Sequence, residues 1–409
     1  MCSFFYCMEL TVLCKVVDNF GDIGVVYRMC RRFLEIDSAC CINLIVDDLD
    51  SFSRICDSVE SGLDFQVVEG INVWRWGAES RCHDDFIKND GEKLSVILEC
   101  FQCGRPDWME KILFEEKLNR TVHILMIDYL TAEKYAEDFH CLQSLTRSAK
   151  VQKINFMPGF TEKTGGLIID DEWKVLDEKR GESCSCDGIL VFTYEQKMKP
   201  LVRALKKYCS ESGHGGKKVL VAQGRGKNAF LNAWNSNDLV ISENFIEKRE
   251  KSKQTSAFCE RGYGACDENV LSELPYLNQR EWDKMMKACS ILVIRGEESM
   301  SRACLSGIPF VWHAYPQSDE YQMVKVKALL ERMRHHFAED DFAVVERAWL
   351  CFNDAESSDE ETELAFADFF AASEKLTPCF VDFALSLRKN GDLCANIMTF
   401  IQKNYIIEK

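Results

Sequence analysis

No run of about 18 apolar residues free of charge occurs anywhere in this 409-residue sequence, so a soluble protein without a membrane-spanning helix is expected. The apolar start MCSFFYCMELTVLCKVV carries Glu9, has no Arg or Lys before Lys15 and lacks a small-residue cleavage pattern, so it does not read as a signal peptide. Positive charge is scarce: 50 Lys plus Arg against 66 Asp plus Glu leave a formal charge of −16. An acid excess of this size repels phosphate backbones and anionic headgroups, which argues against nucleic-acid or membrane binding and leaves room only for a local anion site. Metal signatures are missing too. The seven His form no HExxH, and the one CxxC, Cys100 to Cys103, lies far from the CxC at Cys184 and Cys186, with no His at ligand spacing. No metal centre is expected. GHGGKK and QGRGK are basic and glycine-rich, yet neither matches GxxxxGK followed by Ser or Thr, which disfavours a P-loop NTPase.

Cysteine, by contrast, is abundant. The 21 Cys are odd in number and scattered through segments such as LTVLCKVV and YRMCRRF, a pattern of reduced, buried thiols in a cytosol. Hydrophobic residues at 46% and charged residues at 28% are globular values, and the length suggests two domains.

Strands and helices alternate from the start. LTVLCKVV reads as a buried strand, DNFGDIG as a turn, VVYRMCRRFLEI as a helix with Val25, Met29, Phe33 and Ile36 on one stripe, and CCINLIVDD as a second strand. VILECF, VHILMID and KINFMPGF extend the same series, which predicts a parallel sheet with helical crossovers. After a charged linker near 170–187 the alternation restarts with GILVFTYE, KPLVRALKKYC, KKVLVAQG, SILVIRG and IPFVWHA. The expected class is α/β, with Rossmann-like domains at 1–180 and 187–389. NFIEKREKSKQTSAFCERGYGACDEN and DAESSDEETE fit no core element and are expected as exposed loops. His335 and His336 are expected on a solvated helix face. In such a sheet ligands bind at the carboxyl ends of the strands, so a crevice between two halves can hold two substrates.

Three motifs stand at such strand ends. The first is Asp18, Asn19, Phe20, Gly21, Asp22, Ile23, Gly24 after the first strand. A dinucleotide site would need GxGxxG here, with N–H groups on a pyrophosphate, and two carboxylates repel phosphate. The turn suits a cationic or proton-donating acceptor better, although Asp22 could also simply cap a helix beginning near Ile23. The second is Arg295, Gly296, Glu297, Glu298, Ser299 after SILVI, leading into the helix SMSRACLSG, which Gly307 and Pro309 terminate. A fixed guanidinium, a close-approach glycine, a serine and helix N–H groups can hold a diphosphate without a metal. The competing reading is an ordinary surface ion pair. The third is Tyr315, Pro316 and Gln317, ahead of a helix with Lys325 and Lys327, suited either to a phosphate or sugar site or to a rigid turn. Phe192, Tyr194 and Trp282 are candidates for stacking on a base, with burial in the core as the alternative.

VVDNFGDIGVVYR, IVDDLDSF, IDYLTAEKY, FMPGFTEKTGGL, LVIRGEESMSRACLSGIPFVWHAYPQ and KVKALLERM, spread over residues 10–333, together resemble the EarP family of bacterial protein-arginine rhamnosyltransferases. The resemblance implies a GT-B glycosyltransferase fold, two Rossmann-like domains facing across a cleft, with a C-terminal helix near 390–409 packing back on the first. It implies an inverting, metal-independent transfer of L-rhamnose from dTDP-β-L-rhamnose to a guanidine nitrogen of one arginine of elongation factor P, in the cytoplasm and without a cofactor. Carried over by motif, Asp22 becomes the catalytic base, with Asp18 and Glu297 orienting the acceptor arginine. Asn19, Phe20 and Gly21 would line the donor. Phe192, Tyr194, Gln279 and Trp282 would meet the thymidine, and Arg295, Gly296, Glu298, Ser299, Tyr315 and Gln317 the ribose and diphosphate. Thr193, Gln196, Trp282 and Glu298 depart from the family pattern, which bears on base and sugar selectivity. Two alternatives remain at this level: another nucleotide-sugar transferase or epimerase on the same scaffold, and a non-catalytic relative that binds elongation factor P.

Overall fold

The computed structural model describes residues 8–17, 20–78, 94–115, 118, 120–174, 188–210, 217–236, 270–317 and 320–405. Asp18, Asn19, Cys184, Cys186 and the mixed-charge segment 244–269 lie outside the described residues.

The first half runs β1 (Met8–Cys14), α1 (Gly21–Ile36), β2 (Cys41–Val46), α2 (Leu49–Ile55), β3 (Phe65–Val68), β4 (Ile71–Arg75), β5 (Leu94–Cys100), α3 (Asp107–Phe114), β6 (Val122–Ile127), α4 (Tyr135–Phe139), β7 (Gln143–Ser144) and β8 (Val151–Phe156). They form one sheet in the order β3-β4-β2-β1-β5-β6-β8-β7. Its six central strands are parallel, and only the edge strands β3 and β7 pair antiparallel. Strands covered on both faces read as nearly continuous apolar runs. Leu10, Val12, Leu13 and Cys14 of β1 are accordingly fully buried.

Helix α1 departs from the one-stripe expectation. Met29 and Phe33 are buried, but Ile36 is exposed, Val25 is only partly covered, and Ile23, Val26, Arg28, Cys30 and Arg32 are buried as well. The cause is its position: α1 lies between its own sheet, the C-terminal helix and the second half of the chain, so it is covered nearly all round.

The second half runs β9 (Gly188–Val191), α5 (Met198–Ser210), β10 (Lys218–Val221), α6 (Lys227–Asn235), β11 (Leu271–Glu273), α7 (Gln279–Ala288), β12 (Cys289–Arg295), α8 (Glu297–Ser306) and β13 (Phe310–His313). Its sheet is wholly parallel, ordered β11-β10-β9-β12-β13. Phe160, Ile169 and Trp173, from the segment leading out of the first sheet, pack into the core of this half.

Four helices follow: α9 (Tyr321–Met333), α10 (Glu339–Asn353), α11 (Asp359–Lys389) and α12 (Leu393–Tyr405). DAESSDEETE is not a loop throughout. From Asp359 onward it is the first turn of α11, because the Ser358 hydroxyl accepts the Glu361 N–H at 3.2 Å while Glu361 accepts the Ser358 N–H at 3.0 Å. The acids also complement the positive end of the helix dipole. His336 is not solvated either, since its imidazole meets Asp382 at 2.6 Å and Ser386 at 3.3 Å, both on α11.

Helix α11 packs on α5 and α8 in the second half, and the chain then crosses to the first. Leu393, Cys394, Ile397 and Ile401 of α12 join the apolar core of the first sheet. Asp392 secures the crossing, accepting the Ile169 N–H at 2.6 Å and the Ala395 N–H at 2.8 Å. Here two glycines meet. Gly166 has φ +82°, and a Cβ on it would fall 2.6 Å from the Gly391 carbonyl oxygen. Among the described residues no helix is long and apolar enough to cross a membrane. The fourteen described cysteines are free thiols, nine of them buried.

Gly166→Ala is expected to lower stability by about 1–3 kcal/mol, through both the left-handed backbone and the carbonyl clash. Thermal unfolding measures this, and an unchanged midpoint would contradict the tight crossing.

Candidate active site

Between the two sheets lies a cavity of about 590 Å³, walled by segments at the carboxyl ends of strands from both halves. Phe20, Gly21, Asp22, Phe192, Tyr194, Gln279, Trp282, Arg295, Gly296, Glu297, Glu298, Ser299, Tyr315 and Gln317 all line it. The motifs singled out in the sequence therefore meet in one place, except Asp18 and Asn19, which the described residues do not include.

The first half contributes the acidic turn. Helix α1 already starts at Gly21, so Asp22 lies in its first turn and Phe20 occupies the cap position. Simple capping by Asp22 is thus excluded. Its carboxylate instead reaches back to accept the Val17 N–H at 2.8 Å, and the residue is only 3% exposed. That bond fixes the carboxylate in place at the cavity wall, at the end of the helix where the dipole favours an acid.

The second half contributes the N-terminus of α8. This helix begins at Glu297, two residues earlier than the sequence suggests, and so places Glu297, Glu298 and Ser299 in its first turn. Gly296 before it has φ +78° and ψ 154°, a conformation that glycine adopts without strain, and a Cβ there would meet no atom within 4 Å. The requirement for glycine is conformational rather than steric. Helix N–H groups lacking an intrahelical acceptor are brought to the cavity by this turn. Among the described residues Arg295 is not part of a surface ion pair. Glu297 is bound by Lys325 at 3.0 Å and Glu298 by Arg28 at 2.6 Å, whereas Arg295 lies with its guanidinium carbon 4.4 Å from the Phe192 ring centre and 4.7 Å from that of Tyr194. Its Nε is buried without a hydrogen-bond partner.

The aromatics do not form a simple base platform. Tyr194 is 2% exposed, lies beneath Arg295 and meets Tyr315 and His313 edge-on, so it supports the cation rather than offering a free face. Burial, and then the charge of Arg295, push His313 down to about 3, so it stays neutral, and its Nδ1 accepts the Tyr194 N–H at 3.3 Å. Phe192 and Trp282 meet edge to face at 5.0 Å, and the Trp282 indole N–H donates to the Ser299 hydroxyl at 3.2 Å. Gln279 faces the cavity with its amide already engaged by α1. It donates to the Gly24 carbonyl at 2.8 Å and accepts from Arg31 at 2.7 Å.

The residue that sequence reasoning missed is Arg28. It is 1% exposed and binds Asp170 at 2.6 Å, Glu298 at 2.6 Å and both oxygens of Asp283 at 2.7 and 2.9 Å. It thus joins α1 to the segment that follows β8, to α7 and to α8. Burial raises the Asp170 carboxyl, but the nearby Arg302 and Arg28 charges outweigh it and hold the group below its ordinary 3.8. A signal was available, because Arg28 and Arg32 stand one turn apart on a mostly apolar helix and buried arginines need carboxylates. Lining residues just beyond β5 and β6, Phe101 and Tyr129, were missed too. Phe101 stacks on Tyr129 at 4.5 Å, with Phe101 and Gln102 both held at positive φ.

Arg28→Met should destabilise the fold by about 3–5 kcal/mol at neutral pH, because two buried carboxylates, Asp170 and Asp283, and the partly buried Glu298 lose a counter-charge. In the wild type the lowered Asp170 carboxyl contributes stability above its unfolded value of 3.8, and that contribution is lost as pH falls through its folded value. Without Arg28 the Asp170 carboxyl loses one of the charges that hold it down and titrates higher, so the gap between variant and wild type should narrow on acidification from pH ~7 to ~4. Urea denaturation at both pH values tests this, and a gap that is small or independent of pH would count against it.

Comparison with known proteins identifies the family and the fold. The family model described as elongation factor P (EF-P) rhamnosyltransferase EarP matches residues 10–402. A protein-arginine rhamnosyltransferase of Shewanella oneidensis is 26% identical, over 96% of this chain and 97% of its own. Among solved structures, one describing EarP-mediated arginine glycosylation of translation elongation factor EF-P is 18% identical, with TM-score 0.53 over 97% of this chain and 99% of that one. The spinosyn rhamnosyltransferase SpnG, complexed with thymidine diphosphate, is 10% identical, with TM-score 0.50 over 96% and 99%. The fold is therefore that of the GT-B glycosyltransferases, and the chain, an enzyme of the glycosyltransferase class, belongs to the EarP family of EF-P rhamnosyltransferases.

Proposed function

We propose that this enzyme transfers L-rhamnose from dTDP-β-L-rhamnose to a guanidine nitrogen of one arginine of elongation factor P, with inversion and without a metal. The observation that carries the proposal is the meeting, across one cavity, of the buried carboxylate of Asp22 with Arg295 and the N-terminus of α8. One wall suits a cation and the other a diphosphate. Family membership and the thymidine diphosphate bound by SpnG support the same division. An acceptor that serves translation also assigns the reaction to the cytoplasm.

A guanidinium has a pKa above about 12, so it is a delocalised cation and a poor nucleophile. An ordinary carboxylate cannot deprotonate it in advance. Proton removal has to accompany attack, with the proton passing to Asp22 as the nitrogen forms its bond to the anomeric carbon from the face opposite the leaving group. The anomeric C–O bond breaks with its electron pair, and dTDP departs. Glu297, with Asp18, orients the remaining N–H groups. Arg295, whose Nε has no partner, and the α8 N–H groups stabilise the charge that develops on the diphosphate, which is why a metal is not needed in this scheme. Trp282 fixes Ser299 beside those N–H groups. Phe192 and Trp282 are assigned to the thymidine, Tyr315 and Gln317 to the ribose and diphosphate.

Intact-protein mass spectrometry of elongation factor P after incubation with the enzyme and dTDP-β-L-rhamnose tests the proposal. One added deoxyhexose residue on a single arginine is expected, and no mass change would overturn the assignment of donor or acceptor. In the same assay Asp22→Asn should lower transfer by about 10²–10⁴-fold with dTDP affinity unchanged, and full activity would remove Asp22 from the role of base. Calorimetry should find dTDP bound about 10- to 100-fold more weakly by Arg295→Ala, the worth of a charged hydrogen bond to phosphate. An unchanged dissociation constant would exclude it as a phosphate ligand.

A further inference from the structure

Lys325 of α9 has no part in the scheme above, yet it reaches into the cavity. Its Nζ lies 3.0 Å from Oε1 of Glu297, and it shares the cavity wall with Arg295, Gly296 and Ser299. Glu297 is the first residue of α8, so the ammonium sits beside the turn to which a diphosphate is assigned. The pair is not locked in place: 30% of the lysine side chain and 26% of the glutamate side chain are exposed. A lysine ammonium is a point charge on a flexible four-carbon stem, able to exchange one anion for another nearby.

Resting on the transfer reading above, the charges conflict in one state only. Glu297 is to hold the acceptor guanidinium, but without a donor it already holds a cation. Two cations at one carboxylate repel each other. When a diphosphate lies at the α8 N-terminus, the charges can alternate as lysine, diphosphate, guanidinium and glutamate, with every cation facing an anion.

We propose that Lys325 couples the two substrates: it neutralises Glu297 until a diphosphate arrives, then passes to the phosphate oxygens and releases Glu297 to the acceptor arginine. The acceptor arginine is thereby admitted after the nucleotide sugar. Linkage makes the coupling reciprocal, so dTDP and acceptor strengthen each other's binding by one common factor.

Calorimetric titration of elongation factor P into the enzyme, alone and with saturating dTDP or thymidine, tests this. For the wild type dTDP should tighten acceptor binding by about 5- to 100-fold, and thymidine, which lacks the diphosphate, should not. Lys325→Met should bind the acceptor more tightly than wild type without nucleotide, bind dTDP more weakly, and lose the dependence of one on the other. Lys327→Met, an exposed lysine two residues along the same helix, should keep the wild-type coupling. Thermal unfolding confirms that the variants are folded. Acceptor binding indifferent to dTDP in the wild type, or coupling retained in Lys325→Met, overturns the proposal while leaving rhamnosyl transfer intact. An acceptor that binds under no condition defeats the transfer reading, and the proposal with it.

Discussion

The buried guanidinium of Arg28 stands where the two halves of this molecule meet. Arg28 projects from the helix that also carries Asp22, and it binds carboxylates from the segment after β8, from α7 and from α8. Desolvating a charge this thoroughly is unfavourable, and such a cluster is seldom better for stability than well-packed apolar side chains. What it does provide is registration. Four hydrogen bonds between 2.6 and 2.9 Å fix the azimuth of α1 relative to α8, and so decide which part of the acidic turn faces the N-terminus of α8. Gln279 reinforces the setting from α7 by bonding the Gly24 carbonyl and Arg31.

On this setting depends the separation of charge across the cavity. Asp22 is held by a backbone N–H in a region of low exposure, and Arg295 by two aromatic faces, so neither leans on the other. Had the pair formed a direct salt bridge, each would have neutralised the other's field, and both a cationic and an anionic ligand would have had to break it. Aromatic support lets a cation be buried without being cancelled. Tyr194, His313 and Tyr315 form the layer behind it.

Much of this was legible in the sequence because it is local. Nine strands of the two sheets announce themselves as apolar runs, Gly307 closes α8 in the left-handed conformation, and the motif residues sit at strand ends, where open sheets collect ligands. What escaped notice depends on distant partners. Nothing near Arg28 in sequence names Asp170, Asp283 or Glu298, and the burial of α1 on several sides follows from elements met more than a hundred residues later. Tyr194 looked like a stacking surface because its strand-end position is visible, whereas the cation lying over it is not. The acidic run before α11 misled for the opposite reason: composition suggested a loop, but the pairing of Ser358 with Glu361 and the preference of acids for a helix start made it an N-terminus.

The return of the chain through Asn390, Gly391 and Asp392 has a mechanical consequence. The halves are joined by polypeptide twice, once on the way out of the first sheet and once on the way back, and the two passages touch where Gly166 meets Gly391. Two covalent links through one point act as a pin. They tie the halves at a common point, where parting them would break the Gly166 contact with Gly391 and the hydrogen bonds of Asp392. The Arg28 cluster is a second fastening between the same halves, so the cleft is held by chain and by charge at once.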